Sequence, residues 1–522
     1  MNVMGAYRLG IDVGGTNTDA VLMRGNEVLA AAKSFTTADV RSGVVSTVSA
    51  VLEAAPEHRG AVAAVMIGTT QFVNAFVRRR DLARVAVFRV SLPKADGVPP
   101  LTGWPDDLVD AAGAHIYMIG GGALYTGKDY APLDEDALCA AAVDARDRGL
   151  SSVAISANFA PIRPDIEERA AAIVREVMPD ARITLSSKVG GIGLIDRENA
   201  AIINAMLVDL SDRVIDSLKT AMSELSIEAP IFISQNDGTL ITTEVAAAFP
   251  ILTCSAGPTN SIRGAAFLTG LDEAIVVDIG GTTSDIGFLL RGFPRETTAA
   301  NDIGGVRTNF RRPDVLSIGI GGGSLVRQIN GAWQVGPDSV GYRLQQEGLA
   351  FGGRVLTATD IAVRAGQVDL GDPGRLAEIG PSVVEAALDD IHARIEDAID
   401  RIKTSPHPMP LVLVGGGNIL VSRPLSGTSQ ILRPRHASVA NAVGAAIALV
   451  SGRVDKLYDV GALGREAALD QAKGEATREA VAAGARAEDV EIVDIIELPM
   501  THMQTGMVQI KVRAVGPLAS LV

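Results

Sequence analysis

One octapeptide pattern occurs twice in this chain, with conservative changes. Asp12-Val13-Gly14-Gly15-Thr16-Asn17-Thr18-Asp19 returns about half a chain later as Asp278-Ile279-Gly280-Gly281-Thr282-Thr283-Ser284-Asp285. Each copy follows an aliphatic run, Leu9 to Ile11 or Ala274 to Val277, and precedes another, Ala20 to Met23 or Ile286 to Leu290. Strand, glycine turn, strand predicts a β-hairpin with hydroxyls and carboxylates at its tip. A repeat at this spacing predicts a duplicated α/β unit with a cleft between its halves, both hairpins reaching one ligand. Two ordinary turns in an unrelated fold would not repeat the same polar tip.

The residue types suit a nucleoside triphosphate with its metal. Glycine lets the main chain approach phosphate closely and offers N–H donors without a bulky side chain. Thr16, Thr18, Thr282, Thr283 and Ser284 add hydroxyls, while Asp12 and Asp278 supply hard oxygen ligands for Mg²⁺. Phosphoryl transfer needs little more than positioning and charge neutralisation. Glycine is in excess, 55 of 522 residues, and it clusters after strand-like runs; Leu411 to Val414, for example, leads into Gly415-Gly416-Gly417. Competing motifs fail. Gly122 to Lys128 matches most of a P-loop, but Asp129 stands where a Ser or Thr should hold Mg²⁺, and Tyr130-Ala131-Pro132 disfavours the required helix. Gly319 to Ser324 lacks the third spaced glycine of a dinucleotide fingerprint.

Composition narrows the remaining classes. The formal charge of −14 opposes a nucleic-acid partner, whose affinity would rest on neutralising phosphates. Two cysteines, Cys139 and Cys254, cannot build a disulfide framework or a cluster cage. Met1 to Tyr7 shows no leader, and Ala442 to Gly452 is too short to span a bilayer. The expectation is a soluble, multidomain, cytoplasmic protein with no membrane partner. None of the six histidines shows metal-ligand spacing. His392 reads as a surface or boundary residue, His407 and His436 as structural, and Cys254 as a small buried hydrophobe. Arg78-Arg79-Arg80 reads as a solvated helix end.

Taken together, the motifs resemble the actin, Hsp70 and sugar-kinase superfamily, and within it the A subunit of the hydantoinase/oxoprolinase family (N-methylhydantoinase A type). The similarity runs in order over roughly residues 8 to 450. It includes Gly10 to Asp19, Gly68-Thr69-Thr70-Gln71-Phe72-Val73-Asn74-Ala75, Asn199 to Ala205, Ser234 to Gly238 and Ser255-Ala256-Gly257-Pro258. It continues through Asp278 to Asp285, Ser317 to Ser324, Val335 to Ser339 and Thr357 to Asp360. The family's A subunits run longer, so the resemblance implies a short form.

The resemblance implies an α/β fold with two ribonuclease-H-like lobes around an ATP cleft and a small C-terminal α/β appendage. The expected division is 1–250 for the first lobe, with an insertion at about 72–150, then 251–450 for the second lobe and 451–522 for the appendage. Asp12 and Asp278 are the expected catalytic and Mg²⁺-holding residues. Gly14, Gly15, Thr16, Asn17, Thr18, Gly280, Gly281, Thr282, Thr283, Gly321, Gly322 and Gly323 are expected at the nucleotide, with Gly415, Gly416 and Gly417 near its adenosine. Thr69, Thr70 and Asn74 are candidates for the substrate. The implied activity is ATP-dependent hydrolysis of a cyclic amide, such as a hydantoin, 5-oxoproline or another lactam. A B-type hydantoinase/oxoprolinase subunit is the implied partner, with self-association left open. A small-metabolite or sugar kinase and a regulatory ATPase are the alternatives.

Overall fold

Both predicted hairpins form. In the computed structural model, which describes residues 6–37, 39–297, 301–310, 312–500 and 506–519, Tyr7–Val13 pairs antiparallel with Asn17–Arg24, and Ala274–Ile279 with Ser284–Leu290. Residues 1–5, read as lacking a leader, lie outside the described residues, as do 501–505 (with His502) and 520–522 of the tail.

Each hairpin continues into a third antiparallel strand, Glu27–Phe35 or Phe293–Pro294. On the other side of each first strand lie two parallel strands. These are Val62–Thr69 and Ile231–Ser234 in one half, and Met409–Val414 and Thr428–Leu432 in the other. The order third, second, first, fourth, fifth therefore occurs twice, giving two lobes of one topology. The central parallel strands are covered on both faces, which is why they read as unbroken aliphatic runs. Residues 64–69 and 411–414 are buried throughout.

Two helices cross between the lobes. Ala256–Thr269 leads into the second lobe, and Ala440–Ala446 returns from it to pack on the first strand of the first. They touch backbone to backbone: a Cβ on Gly264 would sit 1.9 Å from the Ala440 carbonyl oxygen, and one on Gly444 1.9 Å from that of Asn260. Only glycine permits this approach, which brings polar side chains of both helices to the cleft floor.

A second contact ties the lobes together. The hairpin Asn301–Ile303 and Val306–Thr308 buries Ile303 and Val306, with Phe310 beyond, in the core of the first lobe. Arg79 donates to the Gly304 oxygen at 2.9 Å and pairs with Asp107 at 2.9 Å, so this arginine is a clasp and not the solvated helix end expected.

The segment expected as an insertion builds its own parallel sheet, ordered Arg182–Leu185, Ser152–Ala157, Val85–Leu92 and His115–Gly120. Its last strand ends at Leu185, beyond the anticipated boundary. The fully buried Arg89 pairs with Glu198 on the long helix Leu194–Glu224, and Ser156 Oγ also donates to Glu198 at 2.6 Å. Such a pair holds only because hydrogen bonds satisfy both partners. The false P-loop is a small hairpin, Gly122–Ala123 against Asp129–Ala131.

The tail is not set apart as a separate appendage. The helix Ala440–Ala446 is followed by the strand Leu449–Asp459, whose first residues pair with Thr239 and Leu240. Met507–Gly516 and Glu491–Pro499 add to it, extending the first lobe's sheet to nine strands, with helix Arg465–Ala482 packed against them. His392 also departs from its reading. It is 2% exposed on helix Pro381–Ile402, and its Nε2 accepts the Ser422 N–H at 3.2 Å. Among the described residues no helix is long and apolar enough to cross a membrane.

Candidate functional site

The two hairpin tips are copies in geometry as well as in sequence. Gly14 N–H donates to the Asn17 oxygen at 3.0 Å, and Gly280 N–H to the Thr283 oxygen at 2.9 Å. Asp12 faces Asp19 across one ladder, and Asp278 faces Asp285 across the other. The tips meet, with Thr16 Oγ1 3.4 Å from Thr282 Oγ1. A Cβ on Gly281 would fall 2.6 Å from Thr16 Cγ2. Gly15 and Thr283 are exposed at the rim, while Asn17 is half-buried in the turn. Thr18 is buried; its hydroxyl lies 3.3 Å from that of Thr36, which donates to the Gly14 oxygen at 2.8 Å. It braces the hairpin from behind.

Beneath the tips lie four carboxylates and one lysine. Asp12 is buried, and Asn441 Nδ2 donates to its Oδ2 at 2.9 Å, whereas its Oδ1 has no partner among the described residues. Burial, then the charges of Asp19 and Asp278, push the Asp12 carboxyl up to about 7. Asp278 accepts from Ser261 Oγ at 2.5 Å, and burial raises its carboxyl too. Asp285, bonded by Ser317 Oγ, is pushed up to about 6 by burial with a further contribution from Asp278. Lys33 pairs with Asp19 at 2.5 Å from the facing strand.

This donor set fits Mg²⁺. The unpaired oxygen of Asp12 and the crowding of like charges both call for a cation. Among the described residues no group of three or more His, Cys, Asp or Glu forms a metal cage. A pair of carboxylates completed by phosphate and water is the arrangement Mg²⁺ favours.

The other predicted residues divide. The N–H groups of Gly322 and Gly323 are bonded to the carbonyls of Gly280 and Gly281 at 3.0 and 2.7 Å, and that of Gly321 to Ser324 Oγ at 2.8 Å. These three glycines buttress the second hairpin, and their donors do not face a ligand as expected. Gly415 adopts φ +82, and a Cβ there would lie 2.2 Å from Asp278 Oδ1. Gly417 N–H donates to the Ile279 oxygen at 2.7 Å, and Gly416 is exposed with open space around it. Thr70 N–H donates to the Val13 oxygen at 3.2 Å, and Asn74 Nδ2 to Thr70 Oγ1 at 3.1 Å. A Cβ on Gly15 would lie 3.4 Å from that Asn74 nitrogen, so both residues border the first tip. Thr69 is buried and accepts the Gln71 N–H at 3.2 Å.

Sequence reasoning missed Lys33, Asn260, Ser261 and Asn441. Both side-chain polar atoms of Asn260 are buried without a partner among the described residues. A Cβ on Gly68 would lie 2.5 Å from both Asn260 Nδ2 and Asp12 Oδ1. For Asn260, Ser261 and Asn441 the available signal was polar residues set among the small residues of the crossing helices.

Residues 8–178 match the family model described as Hydantoinase/oxoprolinase N-terminal region, and residues 197–372 the one described as Hydantoinase/oxoprolinase. The chain is 29% identical over 421 residues to caprolactamase subunit alpha of Pseudomonas jessenii, covering 75% of this chain and 59% of that protein. It is 24% identical over 249 residues to the acetophenone carboxylase gamma subunit of Aromatoleum aromaticum, covering 46% and 34%. The chain thus spans less than two thirds of either relative. Two solved structures share the fold. One is ATP-dependent caprolactamase from Pseudomonas jessenii (TM-score 0.73, 20% identity, 98% of this chain and 88% of that one). The other is nucleotide-free acetone carboxylase (TM-score 0.74, 18% identity, 99% and 88%).

Proposed function

Because the chain belongs to the hydantoinase/oxoprolinase family, we propose that it is the ATP-using subunit of an enzyme that opens a cyclic amide. The observation that carries this reading is the meeting of the two hairpins over their carboxylates. The relative named caprolactamase, whose structure is titled ATP-dependent, supports the substrate class.

Amide resonance makes the lactam carbonyl a poor electrophile. Transfer of the γ-phosphoryl group of ATP to the amide oxygen, with loss of the N–H proton, gives an imidate-like phosphate that water attacks. Hydrolysis then releases inorganic phosphate and breaks the ring C–N bond. The tips supply Thr16 and Thr282 hydroxyls and the main chain of Gly14, Gly15, Gly280 and Gly281 to hold the phosphates. Mg²⁺ held by Asp12 and Asp278 would neutralise phosphate charge. Lys33, paired with Asp19, offsets part of the rise that burial imposes on that carboxyl and moderates the negative potential of the floor. Gly416 faces the adenosine, while Thr70 and Asn74 border the place where the lactam must meet the γ-phosphoryl group.

The reading divides the chain near residues 250 and 450, at the two crossings between lobes. It assigns the reaction to the cytoplasm, where ATP is supplied. A B-type subunit completes the hydrolysis in this reading; the relatives' names, subunit alpha and gamma subunit, support a multi-subunit assembly. The test is to co-purify the chain with such a subunit and supply Mg·ATP and candidate lactams or hydantoins. Substrate-stimulated release of ADP and phosphate with a ring-opened acid is expected. A stable phosphorylated product would indicate a kinase, and no stimulation by any cyclic amide would refute the assignment.

A further inference from the structure

Away from the hairpin tips, at the far end of the strand Ser284–Leu290, a cavity of about 770 Å³ opens where three parts of the chain meet. One wall is the start of the long helix beginning at Leu194, a second is the segment around Phe293 in the second lobe, and the third is the pair of tail strands. Its lining is both apolar and charged, with Phe293, Ile496 and Leu498 beside Arg295, Lys511 and Arg513.

The inner end carries more positive charge than its surroundings balance. Arg513 is 6% exposed; one nitrogen pairs with Glu296 at 2.6 Å, while its Nε has no partner among the described residues. Behind it, Arg453 pairs with Asp237, which lies 3.9 Å from Arg513. Arg263 stacks its guanidinium 5.0 Å from the centre of the Phe293 ring, with Arg513 at 5.4 Å from the same ring. The Nε of Arg263 is likewise unpaired among the described residues. Among the described residues, the guanidiniums of Arg263, Arg453 and Arg513 thus share the carboxylates of Asp237 and Glu296 in a buried region. Leaving a buried charge and its N–H groups unsatisfied is costly, and an anion entering the cavity would relieve that cost.

We propose that this cavity binds a small carboxylate with an aliphatic body, which under the ring-opening reading is the acid released from the lactam. Arg513 takes the carboxylate, and Phe293, Ile496 and Leu498 cover the methylene chain. The lactam is neutral and offers Arg513 only a carbonyl acceptor without the charge of a carboxylate, so the cavity favours product over substrate. Asp196, paired with the exposed Arg307 at 3.3 Å, also lines it and adds a carboxylate toward the ammonium group that ring opening exposes.

Calorimetric titration of the full chain without ATP tests this, with hexanoate, 6-aminohexanoate and ε-caprolactam as probes. Both acids should bind, 6-aminohexanoate at least as tightly as hexanoate, and caprolactam should bind more weakly than either. Arg513→Gln should weaken both acids about tenfold or more, the loss of one charge-assisted pair. If that variant does not fold, Lys511→Gln at the rim should weaken them in the same direction while leaving basal ATP turnover unchanged. Binding of caprolactam as tight as that of the acids, absence of acid binding, or acid binding that survives both substitutions would overturn the proposal. Acid binding without lactam-stimulated ATP turnover would sink the ring-opening reading and keep the site; stimulated turnover without acid binding would do the reverse.

Discussion

Asp12→Asn should make the ligand-free protein more stable while disabling it. The wild-type carboxyl moves from 3.8 to about 7 on folding, because it is buried beside Asp19 and Asp278. At 1.36 kcal/mol per pH unit, holding it ionised above neutrality costs about 4 kcal/mol as an upper bound. Asp19 and Asp278 share the titration, so removing one member recovers about 2 kcal/mol. The sign follows from linkage. A carboxyl whose folded value is raised contributes full stability below 3.8 and loses it as the pH climbs to about 7. The variant lacks that loss, so the two proteins should match near pH 4 and separate progressively until about pH 7, with the variant above. The introduced amide can keep the Asn441 bond through its oxygen. Urea unfolding at pH 5, 6, 7 and 8 measures the gap, and stimulated ATP turnover measures the loss, expected at about 10²-fold or more. An unchanged pH profile would refute the buried-charge argument. Turnover within a few-fold of wild type would refute the site.

Asp278→Asn should lower ATP turnover by a similar ~10²-fold factor, whereas Asp129→Asn in the false P-loop should leave it intact; steady-state ADP release compares them. Gly415→Ala places a Cβ against Asp278 Oδ1 at φ +82, so it should cost more than about 1 kcal/mol and weaken Mg·ATP binding together, read by melting with and without nucleotide. Gly264→Ala or Gly444→Ala forces the crossing helices apart and should cost about 1–3 kcal/mol in urea unfolding. Cys254, buried and pushed up to about 12, should resist maleimide until the chain unfolds, while exposed Cys139 labels at once; mass spectrometry of the native protein checks this.

The hairpins were legible because their signal is local. Eight residues state the turn, the flanking strands and the facing carboxylates, and a strand's alternation fixes that Asp12 opposes Asp19. The aliphatic run at Leu411 to Val414 was read for the same reason. An α/β tail was legible too, but not its membership of the first lobe's sheet, since pairing Leu449 with Thr239 joins residues far apart in sequence. Donor use by Gly321, Gly322 and Gly323 was equally hidden: a glycine triplet looks the same whether its N–H groups meet a phosphate or the carbonyls of Gly280 and Gly281.

The sequence by itself therefore determined which residues could form a phosphate-facing tip, and that there were two such tips. The tertiary structure decided that Thr16 meets Thr282, that Asn441 reaches Asp12 and Ser261 reaches Asp278, and that one oxygen of Asp12 is left without a partner among the described residues. Turn and strand preferences act over a few residues and are written in residue type. Burial, and with it the proton affinity of a carboxyl, depends on which distant segments pack over it, and that exists only once the lobes have closed on each other.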